Sequence, residues 1–209
     1  MKLIVSDFDL TFFDSNYEKN IELINSFVEK GNMFVIATGR TVELLKEEIN
    51  NQNIKFKYLI CSDGAIILDD NYDILKSVTF DKTMIEEIIK ILKNDSNLIN
   101  LEIDENSFGI SGVYAVFNNL EYAKQILDYI LAKYNVSGYL STHGINIINK
   151  NVCKANGIDY IKSILKINDD DIYTIGDNIN DLEMINRYNG YMIGKDINNF
   201  QEFIEKIDK

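Results

Sequence analysis

Lys2-Leu3-Ile4-Val5-Ser6-Asp7-Phe8-Asp9-Leu10-Thr11 sets an apolar run directly against two aspartates spaced one residue apart. Leu3 to Val5 read as a buried strand. Strand side chains alternate with a period of two, so Asp7 and Asp9 are expected to leave its end on the same side. Carboxylates crowded together repel, and they stay ionised easily only with a cation between or beside them. A hard dication such as Mg²⁺, which takes oxygen ligands and keeps several waters, resolves that conflict. One carboxylate is then available to attack an electrophile while the other handles protons. Taken alone, the pair reads equally well as two surface aspartates in a solvated loop. The rest of the chain decides.

Working outward, residues 18–30 read as a helix with Ile21, Ile24, Phe27 and Val28 on one face and Gly31 past its end. Residues 33–37 form a second apolar run ended by Thr38-Gly39-Arg40, residues 42–50 a short helix, and residues 58–61 a third run broken by Ser62-Asp63-Gly64. Strand, helix, strand, helix, strand is the rhythm of right-handed crossovers and a parallel sheet. Residues 65–68 and 74–78 read as a hairpin. The pattern then changes. Helices are expected over 83–93 and 120–134, with strands over 98–103, 113–117, 138–141 and 145–148. A helix followed by two strands, occurring twice, predicts a small antiparallel layer inserted into the parallel one as a lid. The crossover rhythm returns with a helix over 155–165, a strand over 172–175, a helix over 181–188, a strand over 191–193 and a helix over 198–207. The expected fold is therefore α/β: a doubly wound, Rossmann-like parallel core of residues 1–80 and 151–209, with an α+β insertion over 81–150.

The 209 residues suffice for a sizeable core, and a 46% hydrophobic fraction with a mean hydropathy of -0.12 is ordinary for a globular chain. A formal net charge of -12 argues against a nucleic-acid partner. It leaves room for a small phosphorylated substrate, because a metal and one lysine reverse the field inside a cleft. No apolar stretch is long enough for a membrane span, and Asp7 cuts the first apolar run too short for a signal peptide, so a cytoplasmic location is expected. Cys61 and Cys153 stand alone and read as reduced core thiols. The sequence does not disclose the oligomeric state.

The fourth core strand ends in Gly176-Asp177-Asn178-Ile179-Asn180-Asp181. Ligands of open parallel sheets bind outside the carboxyl ends of the strands. Asp7, Asp9, Thr38 and Asp177 all occupy such ends. Asp177 would complete the oxygen shell of a cation, while Asp181 reads as a helix cap, as the holder of a metal-bound water, or as both. Thr38 and Gly39 offer a hydroxyl and exposed backbone N–H groups to an anionic oxygen, although Thr-Gly is also a common turn. Lys154, where the parallel pattern resumes, is the cationic candidate, against the plainer reading of a solvated lysine. Arg40 is placed to pair with an acidic neighbour or a substrate group and stays unassigned. His143, the single histidine, lies in Ser141-Thr142-His143-Gly144 and reads first as a turn residue.

Taken in order, Asp7-Phe8-Asp9-Leu10-Thr11, Ala37-Thr38-Gly39-Arg40, Lys154 and Gly176-Asp177-Asn178-Ile179-Asn180-Asp181 resemble the haloacid dehalogenase superfamily, most of all its Cof-type phosphatase branch. Ser62-Asp63-Gly64-Ala65 is similar to that branch's Asn-Gly-Ala segment, with Asp63 in place of the usual Asn. The resemblance implies a Mg²⁺-dependent phosphatase acting on small phosphomonoesters, such as sugar phosphates, through an aspartyl-phosphate. Asp7 would be the nucleophile, and Asp9 the general acid/base whose backbone carbonyl also reaches the metal. Thr38, Gly39 and Lys154 would bind the phosphoryl group. Asp177 would ligate Mg²⁺, with Asn180 and Asp181 in support. The insertion matches the family's cap in position, which makes residues such as His143 and Asn146 candidates for substrate selection, together with Asp63. Leu10 stands where the family often has Gly, an exchange that requires a backbone outside the left-handed region. A phosphotransferase or phosphomutase, and a non-catalytic phosphate- or metal-binding regulator, remain alternative readings.

Overall fold

The computed structural model describes residues 1–141 and 144–208. Its elements are, in chain order, β1 (Leu3–Ser6), α1 (Tyr17–Glu29), β2 (Met33–Ala37), α2 (Val42–Ile49), β3 (Tyr58–Cys61), β4 (Ile66–Asp69), β5 (Ile74–Ser77), α3 (Lys82–Lys93), β6 (Leu98–Asn106), β7 (Gly109–Phe117), α4 (Leu120–Lys133), β8 (Val136–Leu140), β9 (Gly144–Asn149), α5 (Lys154–Leu165), β10 (Ile172–Gly176), α6 (Leu182–Arg187), β11 (Asn189–Met192) and α7 (Phe200–Ile207). The chain divides into two compact units, Met1–Leu75 with Cys153–Lys209, and Lys76–Val152. Among the described residues no helix is long and apolar enough to cross a membrane.

The first unit is built on a sheet of order β11-β10-β1-β2-β3-β4-β5. The pairs β11–β10, β10–β1, β1–β2 and β2–β3 are parallel, and β4 joins β3 antiparallel. Alternation gives each strand two apolar faces. Leu3, Val5, Val35, Ala37 and Ile60 pack with Ala155, Ile158 and Ile161 of α5 and Met184 of α6. Residues of the opposite parity, Ile4 and Phe34, are equally buried. On Phe34 sits Phe12, whose ring centroid lies 5.0 Å from that of Phe34 and 5.1 Å from that of Phe200 in α7. Each such side chain contributes about 1.5–3 kcal/mol on full burial, so packing on both faces, rather than strand propensity, holds the sheet. The order of strands reverses at β1, which places the crevice of this doubly wound sheet at the carboxyl ends of β1, β2 and β10. The observed α/β class and parallel-dominated sheet are those expected.

The second unit carries an antiparallel sheet of order β6-β7-β9-β8. Ile85, Ile88 and Leu92 of α3 and Leu127 and Ile130 of α4 pack on Val113, Ala115, Phe117, Ile145 and Ile147, all of one sheet face. Asn146 belongs to the other face, in register with Tyr114 on β7 and Tyr139 on β8. The β6–β7 ladder runs from Leu98 to Asn106 and from Gly109 to Phe117, longer than the apolar runs predict. Polar pairing extends it: buried Ser111 donates its hydroxyl to the Asp104 carbonyl at 3.1 Å. Hydrogen-bonded polar residues sustain a strand that hydropathy alone does not signal.

Candidate active site

β1 ends at Ser6, and the chain leaves the extended form almost at once. The Asp7 N–H donates to the Ile175 carbonyl at 2.9 Å, after which Phe13 N–H returns to the Phe8 carbonyl at 2.7 Å and Leu10 N–H to the Phe13 carbonyl at 3.0 Å. Period-two alternation holds only while the backbone is extended. It fails here, and the two side chains meet different cations, Asp7 that of Lys154 and Asp9 that of Arg40. Asp7 is buried, whereas the half-exposed Asp9 side chain turns to Arg40, whose Nη2 and Nε donate to its two oxygens at 2.6 and 2.9 Å. The route to a cation that the family resemblance implies for Asp9, its backbone carbonyl, is independent of that side-chain pairing.

Leu10 closes the turn at φ 60°, in the left-handed region its expected tolerance ruled out. That conformation costs a residue with a Cβ about 1–2 kcal/mol, and Leu10 recovers little by burial because it is 72% exposed. Leu10→Gly is therefore expected to leave stability unchanged or raise it by up to about 1 kcal/mol, although glycine normally destabilises through chain entropy. Denaturant unfolding of the two proteins checks this; a loss of about 1 kcal/mol or more contradicts the strain account.

Beneath this turn lies a cluster of buried charge. Lys154, the first residue of α5, is 1% exposed, and its Nζ donates to Asp7 Oδ1 at 2.5 Å and to Asp181 Oδ1 at 2.6 Å. Burial alone would lower the lysine's proton affinity, but the carboxylates of Asp7, Asp181 and Asp63 outweigh it and hold the group above its ordinary range. Asp7 is pushed well up by burial, with Asp181 and Asp177 adding to the effect and Lys154 opposing it. Burial also raises Asp177, against the hydrogen bond it accepts from the Thr11 hydroxyl at 3.0 Å. Asp181 is fully buried; its second oxygen accepts the backbone N–H groups of Asp177 and Asn178 at 3.1 and 3.0 Å. Gly176 makes this possible, since a Cβ there would lie 2.4 Å from the Asp181 carboxyl carbon. Asp181 precedes α6 but its side chain caps no N–H of that helix; it reaches back instead to the loop N–H groups of Asp177 and Asn178, with Lys154 on its other oxygen.

The second side of the crevice comes from β2 and β3. Thr38 is buried; its N–H donates to the Ile60 carbonyl at 2.8 Å, and its hydroxyl accepts the Arg40 N–H at 3.1 Å. The N–H groups of Thr38 and Arg40 are thus committed within the protein, and Gly39 is the exposed residue of the turn. Asp63 is buried at φ 56° and accepts from the Asn180 amide at 2.9 Å. Its successor Gly64 adopts φ 107°, where a Cβ would lie 2.4 Å from the Cys153 carbonyl oxygen. Only glycine lets this loop seat against the chain just before Lys154.

Asp7, Asp177, Asp181, Lys154, Asp63 and Asn180 are accordingly drawn together, while the Asp9 side chain stands apart on Arg40. His143 lies outside the described residues, and Asn146 belongs to the second unit. Thr11 and Arg40 escape assignment from sequence, because each is identified only by the side chain it meets, Asp177 and Asp9 respectively. Carboxylate oxygens of Asp7, Asp177 and Asp181 all lie within 4.8 Å of one another. Three carboxylates against one buried ammonium leave an excess of negative charge, which is costly away from water. A hard-oxygen set with that excess fits a small dication. Both Asp181 oxygens are engaged, so Asp7 and Asp177 are the better ligands of the three.

Known proteins with this pattern were found by sequence and by fold. The family model for haloacid dehalogenase-like hydrolases matches residues 4–135 and 106–207. A Buchnera aphidicola (subsp. Baizongia pistaciae) protein whose name assigns it provisionally to the phosphatases is 28% identical over 222 aligned positions, covering 88% of this chain and 82% of that protein. A haloacid dehalogenase-like hydrolase from B. subtilis superposes with a TM-score of 0.80 at 16% identity, covering 99% of this chain and 93% of that one. The sucrose-phosphatase of Synechocystis sp. PCC6803 superposes with a TM-score of 0.71 at 15% identity, covering 100% of this chain and 87% of that one.

Proposed function

Because the chain belongs to the haloacid dehalogenase-like hydrolases, we propose that it is a phosphatase of small phosphomonoester metabolites, with Asp7 as its nucleophile. The observation that carries this reading is the Lys154 ammonium held between Asp7 and Asp181 in a buried acidic cluster. An Asp7 oxygen forms the bond to phosphorus as the bond to the ester oxygen breaks, and Asp9 supplies the proton that the departing oxygen takes up. In the second step Asp9 removes a proton from water, the water oxygen bonds to phosphorus, and the bond to Asp7 breaks. Inorganic phosphate leaves with Asp9 reprotonated. Lys154, Thr38 and Gly39 hold the equatorial phosphoryl oxygens, where charge spreads in the transition state.

Asp7, Asp177 and the Asp9 backbone carbonyl would hold Mg²⁺, and Asn180 and Asp181 would support that shell. The bound dication would supply charge neutralisation at the phosphoryl group. The inserted unit carries none of these residues and is read as the substrate-selecting cap, with Asn146 and His143 as its candidates and Asp63 as a further one in the core.

Phosphate release from a panel of phosphomonoesters, with Mg²⁺ or with a chelator, tests the proposal. Turnover is expected with the metal and is expected to vanish with the chelator; full turnover in metal-free buffer contradicts the metal assignment.

A second expectation concerns pH. Asp7 and Asp177 are raised by burial, so the folded chain binds their protons more tightly than the unfolded one does. That linkage stabilises the metal-free protein below the ordinary carboxylate range and is lost as pH rises through the raised values. A dication competes with the same protons, so the stabilisation it gives should grow with pH. Thermal unfolding at about pH 5 and about pH 8, with chelator or Mg²⁺, checks this, and a metal-induced shift that shrinks towards higher pH contradicts it.

A further inference from the structure

We infer that Arg40 is a positioning residue for the proton-transfer carboxylate of Asp9, a role that rests on the phosphatase reading above. The guanidinium meets Asp9 as a fork, Nη2 on Oδ1 at 2.6 Å and Nε on Oδ2 at 2.9 Å. Two parallel bonds from a planar group fix both the place and the tilt of a carboxylate, which a single contact does not.

Arg40 is itself held from several sides. Its third nitrogen, Nη1, reaches Glu48 of α2 at 3.4 Å. Its guanidinium carbon lies 5.0 Å from the Phe8 ring centroid and 5.6 Å from that of Phe13, two rings stacked at 2°. Its backbone N–H donates to the Thr38 hydroxyl, and its carbonyl accepts the Ser62 N–H at 2.9 Å. The residue thus ties the Asp9 turn to the Thr38 turn and to the loop before Gly64.

Stability does not account for the arrangement. The Asp9 side chain is 48% exposed, so water and salt screen the pair, and an exposed carboxylate needs no two-pronged partner to remain in place as a charge. What the fork does supply is a fixed starting place for a carboxylate on a turn that has left the sheet. Each Asp9 oxygen accepts one bond from Arg40 and keeps a second lone pair, which is where the proton handed to the ester oxygen is carried. Arg40 therefore acts through Asp9, at the moment the bond from phosphorus to the leaving group breaks.

Leaving-group chemistry isolates that role. Ethyl phosphate departs as a basic alkoxide that needs the proton, whereas p-nitrophenyl phosphate departs as a stable phenolate that does not. With Mg²⁺ present, Arg40→Ala is expected to lower kcat/KM for ethyl phosphate by roughly a hundredfold and for p-nitrophenyl phosphate by about threefold or less. Arg40→Lys keeps charge and stem but not the fork, so it is expected to keep the melting temperature of the unaltered chain and still lose the ethyl phosphate rate. In an Asp9→Asn background, Arg40→Ala is expected to cause no further loss.

Equal losses on both esters, full rescue by lysine, or a further loss in the Asp9→Asn background overturns the inference while leaving the phosphatase reading intact. An unaltered chain inactive on every ester of the panel overturns both. Should Arg40→Ala fail to fold, the lysine variant decides on the same ratio of rates.

Discussion

Asp7→Asn is expected to remove phosphatase turnover by roughly a thousandfold or more while the protein stays folded. The amide has the shape of the carboxylate but not the anionic oxygen that must bond to phosphorus. Its effect on stability should have the opposite sign to its effect on activity. Asp7 carries one of the carboxylates that crowd around a single buried ammonium, and burial already disfavours its charge. Removing that charge relieves repulsion from Asp181 and Asp177, so the variant should melt at the same temperature in chelator or higher. The acid-quenched unaltered enzyme, caught during turnover, should carry one phosphoryl group on the peptide containing Asp7, and the variant none. Retained turnover, or a phosphoryl group on another residue, contradicts the assignment.

Lys154→Met should produce the second large effect, this time on stability and activity together. The ammonium is the counter-charge between Asp7 and Asp181, with Asp63 also contributing to the field that keeps it protonated. Methionine preserves most of the stem and leaves those carboxylates facing one another. Breaking a buried ion pair by removing one partner costs about 3–5 kcal/mol. A loss of that order is expected in chelator, with part of it recovered on adding Mg²⁺. Turnover should fall by about a hundredfold or more even in saturating metal, because phosphoryl charge loses a fixed cation. A variant that melts within a few degrees of the unaltered protein in chelator would show that the cluster takes up protons instead of relying on Lys154.

The parts of this architecture legible in the sequence are those that depend on local repetition. Leu3 to Val5, residues 33–37, 58–61 and 172–175 announce buried parallel strands because both of their faces are covered and few polar residues interrupt them. Where those runs stop, Asp7, Thr38 and Asp177 fall at carboxyl ends, and topology then places them at one crevice. Lys154 was legible by its position at the return of the parallel pattern. Partnership was not. The Asp9 side chain follows the turn, not the strand, and the turn depends on a left-handed Leu10 that no propensity rule favours. The Thr11 bond to Asp177 and the Arg40 fork on Asp9 join residues far apart in the chain, and the fit of Asp181 over Gly176 depends on how their shared loop folds back. The long β6–β7 ladder escaped for a different reason: its polar half is held by hydrogen bonds that hydropathy does not register.

The placement of β1 between β2 and β10 bears on how the molecule is made. Lys154 and Asp7 are 147 residues apart, and the whole of Lys76–Val152 is synthesised between the two parts of the first unit. A nascent chain that has emerged as far as β5 therefore presents β1 with one side paired and the other unsatisfied. Open strand edges of this kind invite association with other chains, and late, long-range pairing is intrinsically slow. The acidic residues that precede Lys154 also wait without their counter-charge until α5 leaves the ribosome. Truncated products ending before β10 should consequently be the aggregation-prone, chaperone-dependent forms, and synthesis of the stretch from α5 to β11 should be the step that commits the first unit to its native state.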